Sequence, residues 1–241
     1  MPTLRHATDS AIDSPQVVPR VRDRPATANP LVSGERVLLV SAHPDDETIG
    51  AGRLVAGHRG EVRALTLTGG EGCVVSDRID PVDMLTQRLA EWRTAVHVLG
   101  AEAVETTRWP DGRLAEHEAE ITESLLPLMA ASDVVITTWR HDPHPDHRAT
   151  GRACAAAAAL ARLRVVEFPV WAPYWMTPEA VAELDYRLCA SDSEPGADQA
   201  RLDALSGYSS QTQPLLPGWA PVVPADMLER HDRQLLACPT R

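Results

Sequence analysis

Short apolar runs rich in β-branched residues alternate with longer helical ones along most of this 241-residue chain, and that alternation limits the fold more than any other feature. The strand-like runs are 37–40, 61–68, 103–107, 133–138 and 164–168. Between them, 48–58, 81–99, 115–131 and 145–163 read as helices, with Gly100 closing the long one in a left-handed conformation. The order predicts right-handed crossovers and an α/β, Rossmann-like, mainly parallel sheet with helices on both faces in a single domain. Ligands of such folds bind where the loops leave the carboxyl ends of the strands.

The two ends of the chain are less regular. Residues 1–34 hold Pro2, Pro15, Pro19, Pro25 and Pro30 among polar side chains and read as an N-terminal tail or strap, which leaves 35–241 as the domain. Beyond Phe168, residues 184–190 suggest an edge strand, 198–208 a helix, 214–224 a loop and 225–236 a last short helix.

Charge narrows the partners. There are 34 acidic against 23 basic residues, a formal net charge of −11, and every basic residue is Arg. A nucleic-acid backbone or an anionic membrane would be repelled at long range, so a neutral or polar small molecule is the expected partner. Cys73, Cys154, Cys189 and Cys238 form no Cys-x-x-Cys pair and read as reduced thiols. No apolar run approaches the roughly 20 residues of a membrane span, and the N-terminus lacks a signal-peptide core. A soluble cytoplasmic protein is expected, and a homo-oligomer is compatible with the sequence.

Two clusters carry the chemistry, and both follow predicted strands. The first is His43-Pro44-Asp45-Asp46-Glu47 and the second is Arg140-His141-Asp142-Pro143-His144-Pro145-Asp146-His147. Crowding a His and three carboxylates onto one turn is unfavourable unless a cation sits there. Taken alone, each cluster has a structural reading as helix caps and His-Pro turns. Placed together on one sheet rim, His43 and Asp46 with a His of the second cluster would offer two imidazoles and a carboxylate, and leave a position for water as catalytic zinc requires.

The sequence resembles the PIG-L/LmbE family of metal-dependent N-deacetylases. The resemblance rests on Ala42-His43-Pro44-Asp45-Asp46-Glu47 and His144-Pro145-Asp146-His147. Weaker matches are Thr68, Gly70-Glu71, Arg88, Glu91, Asp111-Gly112, Glu167, Arg201, Tyr208 and Ser210-Gln211, so that it spans about 36–211. It implies zinc, or another divalent ion, held by His43, Asp46 and His147, with Asp45 as general base and His144 as electrophilic partner. Asp146 would hold His144 by a hydrogen bond and favour its imidazolium form.

The implied substrate is a small N-acylated, above all N-acetylated, amino sugar or glycoconjugate, with Arg88 and Asp111 as its contacts. Two departures fall in the substrate pocket. Gly69 stands where several members have Arg, and Trp139, His141 and Asp142 occupy a segment where some have Tyr. Trp109, Trp139, Trp171, Tyr174 and Trp175 either face a sugar ring or seal the core edge. Two alternatives compete with this function: an amidase acting on a larger thiol or glycopeptide conjugate, and a nucleotide-binding α/β module without metal catalysis. The second is disfavoured because carboxylates stand where phosphate would sit.

Overall fold

A computed structural model of the chain describes residues 26–104 and 108–240. The tail expected over 1–25 and the strand end expected at 105–107 therefore lie outside the described residues. The elements run β1 (Ala26–Thr27), β2 (Val37–Ser41), α1 (Asp46–Gly50), α2 (Gly52–Gly57), β3 (Val62–Thr66), α3 (Pro81–Val98), β4 (Glu102–Ala103) and α4 (Glu118–Met129). They continue through β5 (Val134–Thr138), α5 (Pro145–Ala161), β6 (Arg164–Phe168), α6 (Ala172–Trp175), α7 (Pro178–Ala182) and β7 (Tyr186–Ser191). The last are α8 (Ala197–Ser206), α9 (Ser209–Thr212), α10 (Ala225–Glu229) and β8 (Gln234–Pro239).

Five parallel strands in the order β4-β3-β2-β5-β6 form the central sheet, as the alternation predicts. Strand β2 lies at its centre and is buried on both faces, which is why it reads as a continuous apolar run. Its alternate residues feed two cores. Val37 and Leu39 join Trp92, Val96 and Leu205 on the side of α2, α3 and α8, whereas Leu38 and Val40 join Ile121, Leu125 and Ala157 on the side of α4 and α5.

The register brings the functional loops together. Val37 pairs with Val62 of β3 and with Val134 of β5, so the carboxyl ends of the three strands lie side by side. Thr68 N donates to Ala42 O at 3.0 Å, and Trp109 N to Leu67 O at 2.9 Å, which extends the alignment into the loops. Gly151 lets α5 pack against the end of β5. A Cβ there would stand 2.5 Å from Thr138 O and 2.6 Å from Arg140 N.

Three boundaries depart from the sequence reading. The helix expected over 48–58 is two, broken at Ala51, whose φ of −126° is outside the helical range. The helix expected over 225–236 ends at Glu229, and Gln234–Pro239 is a strand antiparallel to β7. In the strap, Ala26–Thr27 pairs parallel with β7, so the expected edge strand is the middle of a second, three-stranded sheet. None of the helices among the described residues is long and apolar enough to cross a membrane.

Candidate functional site

Both clusters sit at the rim, one on the loop from β2 into α1 and the other on the loop from β5 into α5. His43 Nδ1 lies 3.2 Å from His147 Nε2 and 3.4 Å from Asp46 Oδ2, and His147 Nε2 lies 3.1 Å from Asp46 Oδ1. Donors around a tetrahedral zinc ion, with bonds near 2.0–2.1 Å, stand about 3.3–3.4 Å apart, and the contacts within this triangle of residues, which engage both oxygens of Asp46, are close to that separation. His144 also brings a ring nitrogen within 4.8 Å of those of His43 and His147.

The far nitrogen of each imidazole in the triangle is backed by carboxylate. His43 Nε2 is 3.0 Å from Asp111 Oδ1 and 3.3 Å from Asp146 Oδ2. His147 Nδ1 is 3.0 Å from Asp142 Oδ1. Backing of this kind fixes the tautomer and ring orientation of metal-binding histidines.

The electrostatics also call for a cation. Burial opposes charge on His147, yet Asp46 and Asp142 push it up to about 9. His43 is raised well above its ordinary value against the same burial penalty, mainly by Asp111. Burial likewise disfavours ionised Asp46, but His147 and His43 hold it well below the carboxylate range.

Asp45 is set apart from its neighbour. Burial lifts its carboxyl to about 7 against the pull of Arg88, and the nearby Asp46 and Glu47 add to the rise. Its backbone has φ 126° and ψ −29°, a conformation that side chains rarely adopt, with a strain of about 1–3 kcal/mol. Arg88 braces it, with Nη2 3.3 Å from Asp45 Oδ2 and 2.6 Å from Pro44 O, and Nη1 2.8 Å from Gly70 O. Gly70 permits this approach: its φ is 65°, and a Cβ would stand 2.1 Å from the guanidinium.

Two expectations are corrected. The Asp146 carboxylate does not hold His144. It accepts from Gly112 N at 2.7 Å and Leu114 N at 3.1 Å, and thereby ties the loop after β4 to His43. His144 is not favoured as imidazolium, because burial and the neighbouring His147 and His43 lower it to about 3. Its Nδ1 accepts from Asp146 N at 3.2 Å, so the ring caps α5 and a neutral imidazole carries its proton on Nε2.

Asp142, to which the sequence alone assigns no role, is fully buried and joins the loop after β5 to the segment after β6. Its Oδ1 faces His147, and its Oδ2 accepts from the N–H of Val170, Trp171 and Ala172 at 2.9–3.1 Å. A cluster of donors 28 to 30 residues downstream leaves no local sequence signal.

A cavity of about 540 Å³ opens onto the cluster and is lined at one end by His43, Asp45, Asp46, Arg88, Asp111 and His144. Val75, Trp171, Tyr174, Trp175 and Val222 also line it and give it apolar surface. Trp171 and Trp175 stack with centroids 4.4 Å apart at 15°. Trp109 and Trp139, by contrast, are packed in the core.

An α/β fold whose strand exits converge on a buried histidine–carboxylate centre bordering a cavity defines a hydrolase-like protein with a metal-ready site. The sequence profile of the PIG-L family, described as GlcNAc-PI de-N-acetylase, matches residues 38–158, and the chain belongs to that family. It is 30% identical over 210 residues to the 1D-myo-inositol 2-acetamido-2-deoxy-alpha-D-glucopyranoside deacetylase of Mycobacteroides abscessus, covering 73% of this chain and 72% of that one. Identity to the enzyme of the same name from Mycolicibacterium gilvum is 34% over 173 residues, which is 58% of either chain. Among solved structures, the A40926 pseudoaglycone deacetylase superposes with a TM-score of 0.63 over 85% of this chain and 96% of its own, at 22% identity, a likeness of fold.

Proposed function

We propose that the protein is a zinc-dependent N-deacetylase that hydrolyses the N-acyl group, above all N-acetyl, of an amino sugar carried in a small conjugate. The observation that carries this reading is the triangle of His43, Asp46 and His147 donors, each imidazole backed by carboxylate, with Asp45 and His144 beside it among the residues lining a cavity. The two relatives named above are amino-sugar deacetylases by name, which supports the same bond as target. The four cysteines are free thiols, as suits a reducing cytoplasmic compartment.

His43, Asp46 and His147 would hold a divalent ion, which would lend acidity to a bound water and polarise the amide carbonyl. Asp45, with a carboxyl near 7, takes the proton from the attacking water. That proton is the one the departing amine requires. Neutral His144 donates its Nε2–H toward the oxygen on which charge develops, and Asp146 N fixes the ring in that tautomer. Arg88 holds the Asp45 carboxylate in place, and together with Asp111 it borders the sugar end of the cavity, where both are proposed substrate contacts. The apolar lining residues favour a conjugate with a further group beyond the sugar, in line with the expected alternative of a larger thiol or glycopeptide conjugate.

A screen of N-acylated amino sugars and their aryl or inositol conjugates for amine release by the zinc-loaded protein tests the proposal. Release of free amine that stops on chelation and returns with zinc is expected; turnover indifferent to chelation would overturn the metal role.

A further inference from the structure

Glu47 is fully buried, does not border the cavity, and stands outside the donor triangle. Burying a carboxylate that meets neither substrate nor metal requires some other return for the fold. Its partners indicate what that is. Glu47 Oε2 accepts the backbone N–H of Asp45 at 3.2 Å, while Oε1 accepts from Thr48 Oγ1 at 2.7 Å and from the Tyr208 hydroxyl. Tyr208, itself fully buried, lies 161 residues downstream in the turn after α8.

Among the described residues three non-glycines have positive φ, and the residue so gripped, Asp45 at 126°, lies farthest from the left-handed helical region. Asp45 is held at its carbonyl by the N–H of Thr48 and Ile49 at 3.0 and 2.9 Å, at its carboxylate by Arg88, and at its N–H by Glu47. Glycine would adopt a φ of 126° without strain but would bring no carboxylate. An Asp can stay there only if its surroundings over-determine the conformation.

We propose that Glu47, fixed by the Tyr208 hydroxyl, is a positioning residue that keeps the Asp45 backbone in its strained conformation and thereby aims the Asp45 carboxylate at the reacting water. The inference rests on the reading of Asp45 as general base. A competing role, in which the pair only joins α1 to the α8–α9 turn, predicts lost stability without a specific effect on turnover.

The test uses the zinc-loaded full chain with p-nitrophenyl N-acetylglucosaminide as substrate, amine release as the assay, and hydrogen exchange at the Asp45 amide as a readout independent of turnover. Because misplacement by about 1 Å lowers rates by on the order of 100-fold, Glu47→Gln should lower kcat by about that factor and the isosteric Tyr208→Phe by about 10-fold, each with KM within about twofold and zinc content unchanged. Exchange at the Asp45 amide should accelerate in both variants. In an Asp45→Asn background, Tyr208→Phe should lower the residual rate no further, since the two would act through one group. An equal fall in both backgrounds, or unchanged Asp45 exchange in Tyr208→Phe, would overturn the proposal. If Asp45→Asn turned over at the parent rate, the base assignment would fail instead, and the exchange result would still decide whether the grip exists. Asp45→Gly should also melt higher than Asp45→Ala, because only the alanine keeps the strain; the reverse order would remove strain from the account.

Discussion

The loop after β2 and the loop after β5 meet at one centre but are built on opposite principles. In the second, His144 is extended at φ −71° and ψ 130°, Pro145 follows at the first helical position, and a seventeen-residue helix begins without strain. In the first, Asp45 stands at φ 126°, and the helix it opens runs five residues before it breaks at Ala51. Placing His147 with a carboxylate behind its ring needs only regular geometry. Setting a carboxylate beside a second one, with one ionised and the other poised near 7, needs a turn the chain would not otherwise make.

Loss of one side chain from each loop gives the largest effects and separates the two jobs. His147→Ala should abolish stoichiometric zinc after dialysis, and turnover with it. Asp45→Asn should keep its zinc while kcat falls by about 100- to 10,000-fold, the usual span for a general base. Metal analysis beside steady-state kinetics decides; stoichiometric zinc in His147→Ala would take that residue out of the ligand set.

The next effect is expected behind the second loop, at Asp142. Asp142→Asn replaces one acceptor oxygen by an amide donor that must face either His147 or three backbone N–H groups. Zinc affinity should fall by about 10- to 100-fold, the range found for partners of metal-binding histidines, as read by competition with a chromophoric chelator. Unchanged affinity in a folded variant would mean that Asp142 only ties the β5 loop to residues 170–172.

The sequence announced the two loops because their chemistry is local. His43 to Glu47 and His144 to His147 are short motifs after apolar strands, and the strand order alone carries them to one rim. What it could not show came from partners far along the chain: Tyr208 reaching Glu47, and residues 170–172 reaching Asp142. Adjacency also misled. Asp146 and His144 are two residues apart, but at a helix start the ring accepts from the backbone N–H of Asp146, and the carboxylate points toward Gly112 and Leu114. The last strand was hidden for a related reason: residues 234–239 become a strand by pairing with β7, and the polar segment before them carries no alternating pattern.

Acid should expose a further difference between the two sides. His231 is buried, and its Nε2 lies 2.8 Å from Val170 O, the carbonyl of a residue whose N–H Asp142 accepts. Burial and the nearby Arg201 lower it from 6.5 to about 3. The unfolded chain therefore takes up the proton first, so the contribution to stability is complete above about pH 6.5 and is lost as pH falls toward 3, on the order of a few kcal/mol in all. His231→Gln keeps a donor for Val170 O but does not titrate. Its melting temperature should fall less steeply than the parent's between pH 6.5 and 4; parallel curves would show that His231 is not the titrating group.

The smallest expected effect tests whether the division extends to binding. Residues 170–172 hang from Asp142, so the stacked Trp171 and Trp175 belong to the β5 side of the centre, while Asp45, Glu47 and Arg88 make up the β2 side. Trp171→Ala removes one indole from a stack that borders the cavity and leaves every group around Asp45 in place. An aromatic contact is worth about 0.5–1.5 kcal/mol beyond the area it buries, so KM for an aryl conjugate should rise by about 2- to 10-fold with kcat unchanged. The same variant should lose less with the free N-acetylated sugar, which has nothing to lay against the indole. A fall in kcat at constant KM would break the comparison, because it would mean that the stacked indoles, and not only His144 on the β5 side, position the reacting groups.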